Sequence, residues 1–171
     1  SEFMPELRGK TRVFDDKYEI SFIPEWSFDG GSTQQGTLDD SDRILKPSRV
    51  YKDPFAEGGY LALCEVMMPD GTPHPTNARH PLSETLEREK EGAVLGMWEE
   101  GEEPWFGFEQ EYTITNPDGS PIVPGDLKQG DFYCGVGAGR VIGRALATEH
   151  LDSCQKAGVK LFGVNAEVML S

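Results

Sequence analysis

An α+β fold is predicted from three observations. Residues 18–23, 43–51 and 60–67 carry strand patterns, while residues 83–90 and a segment ending near Ala157 carry helical composition and spacing. No parallel βαβ unit with a later acidic residue is apparent around the chain's one glycine-rich G-x-G-x-G run, Gly135-Val136-Gly137-Ala138-Gly139.

Taken in order, Ser1-Glu2-Phe3 ahead of Met4 reads as a remnant of cloning, with Met4 as the native start. Residues 18–23 alternate Tyr18, Ile20 and Phe22 with Lys17, Glu19 and Ser21, the period of a half-buried strand. Asp29-Gly30-Gly31-Ser32-Thr33 is a turn, because neighbouring glycines reach backbone angles closed to other residues, and its Asp can cap that turn. The acidic run 36–42 reads as a surface loop. Residues 60–67, nearly all apolar, read as a strand buried on both faces.

Pro69-Asp70-Gly71-Thr72-Pro73 is a further turn. His74 and His80 lack a metal-ligand partner at helical spacing and read as surface or structural histidines. A helix is expected over 83–90, with Pro81 in its first turn and Gly92 as its stop. Residues 98–104 form an acidic linker, and 116–121 a turn. A second helix follows the glycine-rich run, with Ala147, Leu151 and Cys154 on one face and Gly158 as C-cap. Residues 161–170 read as a last strand.

A length of 171 residues suits one domain or two small ones. Sixteen basic against thirty acidic residues leave a net charge of −14, which argues against nucleic acid or an anionic membrane as partner. No apolar run approaches a membrane span and no signal-peptide pattern is present, so a cytoplasmic location is expected. Cys64, Cys134 and Cys154 are odd in number and widely spaced, which predicts reduced, mostly buried thiols rather than disulfides or a zinc site.

The most informative stretch is Trp105-Phe106-Gly107-Phe108-Glu109-Gln110-Glu111-Tyr112-Thr113. Its composition reads as a strand, in which Glu109 and Glu111 share one face. Like charges so placed repel unless compensated, and a hard divalent cation with oxygen ligands is the usual compensation. An acidic, solvent-facing strand edge is the other reading of the same residues.

Preceded by Pro104, this run resembles the metal-binding strand of glutamine synthetases of the eukaryotic-like type II class. Further runs resemble that family's signatures in the same order: Pro24 to Thr33, Asp53-Pro54-Phe55, Thr76 to His80, Tyr133 to Ala138, and Asn165-Ala166-Glu167-Val168-Met169. The resemblance extends from about Leu7 to Met169 and corresponds to the first half of a family member. It implies a β-grasp-like N-terminal domain over 4–101, with its opening strand missing, followed by the truncated start of a catalytic α/β domain over 102–171.

The resemblance also implies roles. Asp29, with Ser32 beside it, corresponds to the loop that binds ammonium and draws a proton from it; Gly31 stands where the family has serine, which implies a looser loop. Glu109, Glu111 and Glu167 correspond to ligands of a pair of magnesium or manganese ions, Glu109 also serving the ion associated with ATP, and Trp105 lies beside the nucleotide. Substrates would be glutamate, ammonium and ATP, in a homo-oligomer or in association with another glutamine synthetase chain. The remaining metal ligands and the substrate-binding arginines of the family have no counterpart here, so the 171 residues alone are expected to be inactive. A catalytically dead module that docks on a complete synthetase is the alternative expectation.

Overall fold

The computed structural model describes residues 6–15, 23–90, 105–122, 130–137 and 139–168. Among them are three strands, β1 (Trp26–Asp29), β2 (Asp42–Lys52) and β3 (Tyr60–Met67), and two α-helices, α1 (Arg79–Lys90) and α2 (Arg144–Ala157). Sheet and helices are segregated along the chain, as an α+β fold requires. The expected strand at 18–23, the linker at 98–104 and Gly92 lie at or beyond the edge of the described residues; only Ile23 of these is described. No helix of the described residues is long and apolar enough to cross a membrane.

The chain divides into two compact units. One comprises Ser1–Val50 with Ala62–Glu103, the other Tyr51–Leu61 with Pro104–Ser171.

The three strands form a sheet in the order β1-β2-β3. β1 runs antiparallel to β2, with Trp26 opposite Leu45 and Asp29 opposite Asp42. That register ends before Pro47, so the residue without an N–H falls where β2 no longer needs a donor toward β1. Between β2 and β3 the chain turns through 53–59, closed by the Asp53 N–H donating to the Gly59 carbonyl at 3.0 Å.

β3 forms where expected, but its first half is not buried: Leu61 and Leu63 remain about half exposed, and only Met67 at its end is buried. An apolar run reports what a strand can bury, not whether a layer covers it.

α1 starts four residues earlier than its composition indicated. Asn77 explains this, since its Oδ1 accepts the N–H of His80 at 3.2 Å and so caps a first turn that already contains Pro81. α2 keeps Ala147, Leu151 and Cys154 half-buried on one face. It stops at Gly158, whose φ of 86° is left-handed and whose N–H reaches the last carbonyls of the helix.

Two expected strands do not form. Residues 105–114 and 161–168 have no regular structure, and the one bridge nearby, Thr115 with Pro121, only closes the 116–120 turn. A strand exists by exchanging backbone hydrogen bonds with a neighbour, and no described strand pairs with either segment. The thiols also differ from expectation: all three cysteines are free, but Cys134 is exposed and Cys64 and Cys154 are only partly covered.

Candidate functional site

The Asp29 loop is built by its own residues. β1 delivers Asp29 to its end, and Gly31–Thr33 then wind into a single 3-10 turn. The exposed carboxylate folds back over this turn: Oδ1 accepts the Gly31 N–H at 3.0 Å and Oδ2 accepts the Ser32 hydroxyl. These bonds favour the ionised form, so the Ser32 hydroxyl, with the Gly31 and Ser32 N–H groups, holds Asp29 below its ordinary value of 3.8. Asp29 therefore does cap its own turn, and it does so together with Ser32, the residue expected to share its role. Glycine stands at 31, and it is the N–H of this glycine that Asp29 Oδ1 accepts.

Gly30, buried at the base of this loop, admits no side chain. A Cβ there would lie 2.6 Å from Arg43 Cγ and 2.8 Å from the Ser41 carbonyl oxygen.

Beneath the loop lies a cluster of buried polar residues. Arg43 is 4% exposed and His74 and Asn77 each 8%. The Gln35 carbonyl accepts both Arg43 Nε at 2.6 Å and His74 Nε2 at 2.9 Å. The Gln35 side chain bridges Thr33 and Thr76, each at 2.8 Å, and the Gln35 N–H returns to the Gly30 carbonyl. Asn77 Nδ2 in turn donates to the Val66 carbonyl at 3.1 Å and to Glu65 at 3.2 Å on β3. His74 is thus structural, as expected, but buried rather than at the surface. A Pro-His-Pro-Thr-Asn run, rich in residues that hydrogen-bond nearby backbone, was the available signal for such a turn.

The carboxylates of the second unit are arranged differently. Glu109 and Glu111 are exposed on the irregular 105–114 segment, and Trp105 is 88% exposed. Glu167 is half-buried and accepts the Asn165 amide at 2.8 Å. Nearby order comes from other residues. Tyr112 meets His150 edge to face with ring centroids 5.5 Å apart, and the Cys134 N–H donates to the Ala166 carbonyl at 2.9 Å. An open groove of 490 Å³, lined by Pro54, Phe55, Ala145, Thr148, Asp152 and Lys156 among others, contains none of the expected site residues.

Three carboxylates suit magnesium or manganese chemically, because hard divalent ions take oxygen ligands. As placed they do not fit such an ion. Among the described residues no group of three or more His, Cys, Asp or Glu side chains could hold a metal. Asp29 and Ser32 are brought together, then, while Glu109, Glu111 and Glu167 are not gathered into a site.

No protein-family model matches the chain. Individual relatives do. It is 44% identical over 173 residues to a glutamine synthetase of Amanita muscaria, a match covering 96% of this chain and 46% of that protein. It is 44% identical to the chloroplastic glutamine synthetase of Chlamydomonas reinhardtii over 96% of this chain and 43% of that one. The chloroplastic/mitochondrial glutamine synthetase of Arabidopsis thaliana is 39% identical, over 96% and 38% of the two chains. The chain spans under half the length of the curated relatives it matches.

Proposed function

Because the chain is homologous along nearly all of its length to the N-terminal portion of glutamine synthetases, we propose that its 171 residues carry the ammonium-side loop and the first metal-binding carboxylates of an ATP-dependent ligase that joins ammonia to glutamate. One observation carries this reading: the likeness spans 96% of the chain, so it includes both the Asp29 loop and the Glu109–Glu111 segment. Residues 4–101 are read as the β-grasp-like domain and 102–171 as the beginning of the catalytic domain.

In such a ligase the glutamate side chain takes the γ-phosphoryl group of ATP, and ammonia then displaces phosphate from the acyl phosphate. Asp29 suits the ammonium side. It is exposed and held ionised by Ser32 and the turn N–H groups, so it offers a fixed negative charge to a small cation. The same bonds make it a weaker base, so they favour holding the ammonium cation over taking its proton. Glu109, Glu111 and Glu167 are the proposed magnesium or manganese ligands of the complete enzyme, with Trp105 near the nucleotide.

The 171 residues alone are not expected to turn over. Their carboxylates are not gathered, and Trp105, Phe108 and Phe162 are 88%, 90% and 95% exposed, large apolar side chains that further protein would take out of water. That cover is either the portion the relatives possess beyond this match or another synthetase subunit in an oligomer; the exposed aromatics also favour the second reading, an inactive module docking on a complete synthetase. The γ-glutamyl transferase assay with manganese tests the proposal. The pure 171-residue chain should stay at background, and the assay should respond when the chain is extended by the remainder of a glutamine synthetase. Activity well above background in the short chain overturns the expected incompetence, and an extended chain indifferent to Asp29→Asn overturns the assignment of the loop.

A further inference from the structure

The residues that hold the Asp29 loop against β3 converge on one histidine, and the backbone groups around it dictate its protonation. The Gln35 carbonyl can only accept, so His74 Nε2, at 2.9 Å, must donate to it. The Thr76 N–H can only donate, so His74 Nδ1, at 3.1 Å, must accept from it. Both conditions hold only for the neutral ring with its proton on Nε2. The Thr76 hydroxyl, 2.9 Å from Nδ1, also receives the Gln35 side-chain amide and completes a closed ring of bonds.

The placement gives this ring leverage. The backbone of His74 is anchored to β3 by its N–H donating to the Val66 carbonyl at 3.1 Å, while its side chain reaches across 39 residues to Gln35. Gln35 is in turn tied to Gly30, the residue between Asp29 and the 3-10 turn. His74 therefore links the sheet to the segment that presents Asp29 and Ser32, and does so through Gln35.

We propose that His74, as the neutral Nε2–H tautomer, is a positioning residue that clamps the Gly30–Gln35 segment and so fixes where Asp29 and Ser32 meet an ammonium ion. The clamp itself stands on the hydrogen bonds alone; its bearing on ammonium rests on the function proposed above for Asp29.

Long-range nitrogen–proton NMR of the 171-residue chain reads the tautomer, and amide hydrogen exchange reads the loop. His74 should show a protonated Nε2 and an unprotonated Nδ1 at neutral pH. In His74→Phe the Gln35 carbonyl loses one of its two donors, and exchange of the Gly31, Ser32 and Gln35 amides should quicken about tenfold or more, the consequence of losing a buried hydrogen bond. Amides of the β1–β2 pairing, which lies in the same unit as His74, should not change, which shows that the variant is folded there. His74→Gln, which keeps a donor for the Gln35 carbonyl, should restore most of the protection. An Nδ1-protonated ring, or loop exchange unchanged in His74→Phe, overturns the clamp. Ammonium chloride compared with sodium chloride at matched ionic strength separates the two claims. Gly31 and Ser32 amide shifts specific to ammonium, lost in His74→Phe and in Asp29→Asn, support the positioning role; a loop that passes the exchange test yet cannot tell the cations apart overturns the ammonium reading and with it that role.

Discussion

The Asp29 loop and the Glu109–Glu111 segment carry the same kind of functional group, yet one is built and the other is not. Asp29 has both oxygens bound by its own turn, above a buried Arg43, His74 and Asn77. Glu109 and Glu111 are exposed on a segment without regular structure, beside aromatics that are almost fully exposed. The difference is one of range. A turn of Asp, Gly and Ser organises itself within a few residues, whereas a strand waits for a neighbour. Substitutions in the two regions should accordingly have unequal effects on stability.

The largest effect is expected at Gly30. In Gly30→Ala the new methyl meets Arg43 Cγ at 2.6 Å and the Ser41 carbonyl at 2.8 Å. Arg43 is held by Gln35, Asp40 and the Asp42 carbonyl and cannot simply swing aside. Urea titration should show a loss of about 2–3 kcal/mol, the usual scale of overpacking. A neutral result would mean that the loop is no better packed than the carboxylate segment, and the contrast would collapse. Asn77→Ala comes next. It deletes the α1 cap and leaves the Val66 carbonyl without the Asn77 donor, so about 2 kcal/mol should be lost in the same titration.

In the second unit the corresponding local device is the end of α2. Gly158→Ala forces an L-residue to a φ of 86° and should cost about 1 kcal/mol by thermal unfolding. A loss of that size would show that this unit is ordered around its helix even where its carboxylates are not.

A smaller, pH-dependent effect is expected in Ser32→Ala. Asp29 titrates below 3.8 in the folded chain, chiefly because of the Ser32 hydroxyl. A lowered folded value contributes stability that is present above the unfolded value and is lost as pH falls through the folded one. Removing the hydroxyl should move the Asp29 carboxyl titration, followed by carbon NMR, up toward 3.8 and shrink that acid-side loss. A titration that does not move would show that the turn N–H groups suffice.

The same distinction of range explains what the sequence disclosed. β3 is observed at the expected residues 60–67, and Gly158 ends α2 as its left-handed angle requires, because both signals are local. The Asp29 turn was legible for the same reason. The support His74 gives the loop is not legible in the sequence, since its partner Gln35 is 39 residues away and nothing in spacing announces that contact. The strands expected at 105–113 and 161–170 are absent from their described residues, 105–113 and 161–168, for the complementary reason: strand-like composition describes a willing strand, and only pairing makes one.

The smallest stability effect, and the sharpest test of the contrast, is expected in the Glu109→Gln, Glu111→Gln double variant. Both side chains are exposed, and surface substitutions of this kind stay within about 0.5 kcal/mol. Manganese titration followed by paramagnetic broadening gives the complementary readout. Two neighbouring carboxylates without the rest of a ligand set should bind only weakly, with a Kd of about 1 mM, and the double variant should abolish the broadening around residues 109–111. Broadening that persists unchanged removes Glu109 and Glu111 from the proposed ligand set. Micromolar binding breaks the comparison from the other side, because affinity of that order requires carboxylates gathered beforehand, and the segment would then be as much a built site as the Asp29 loop.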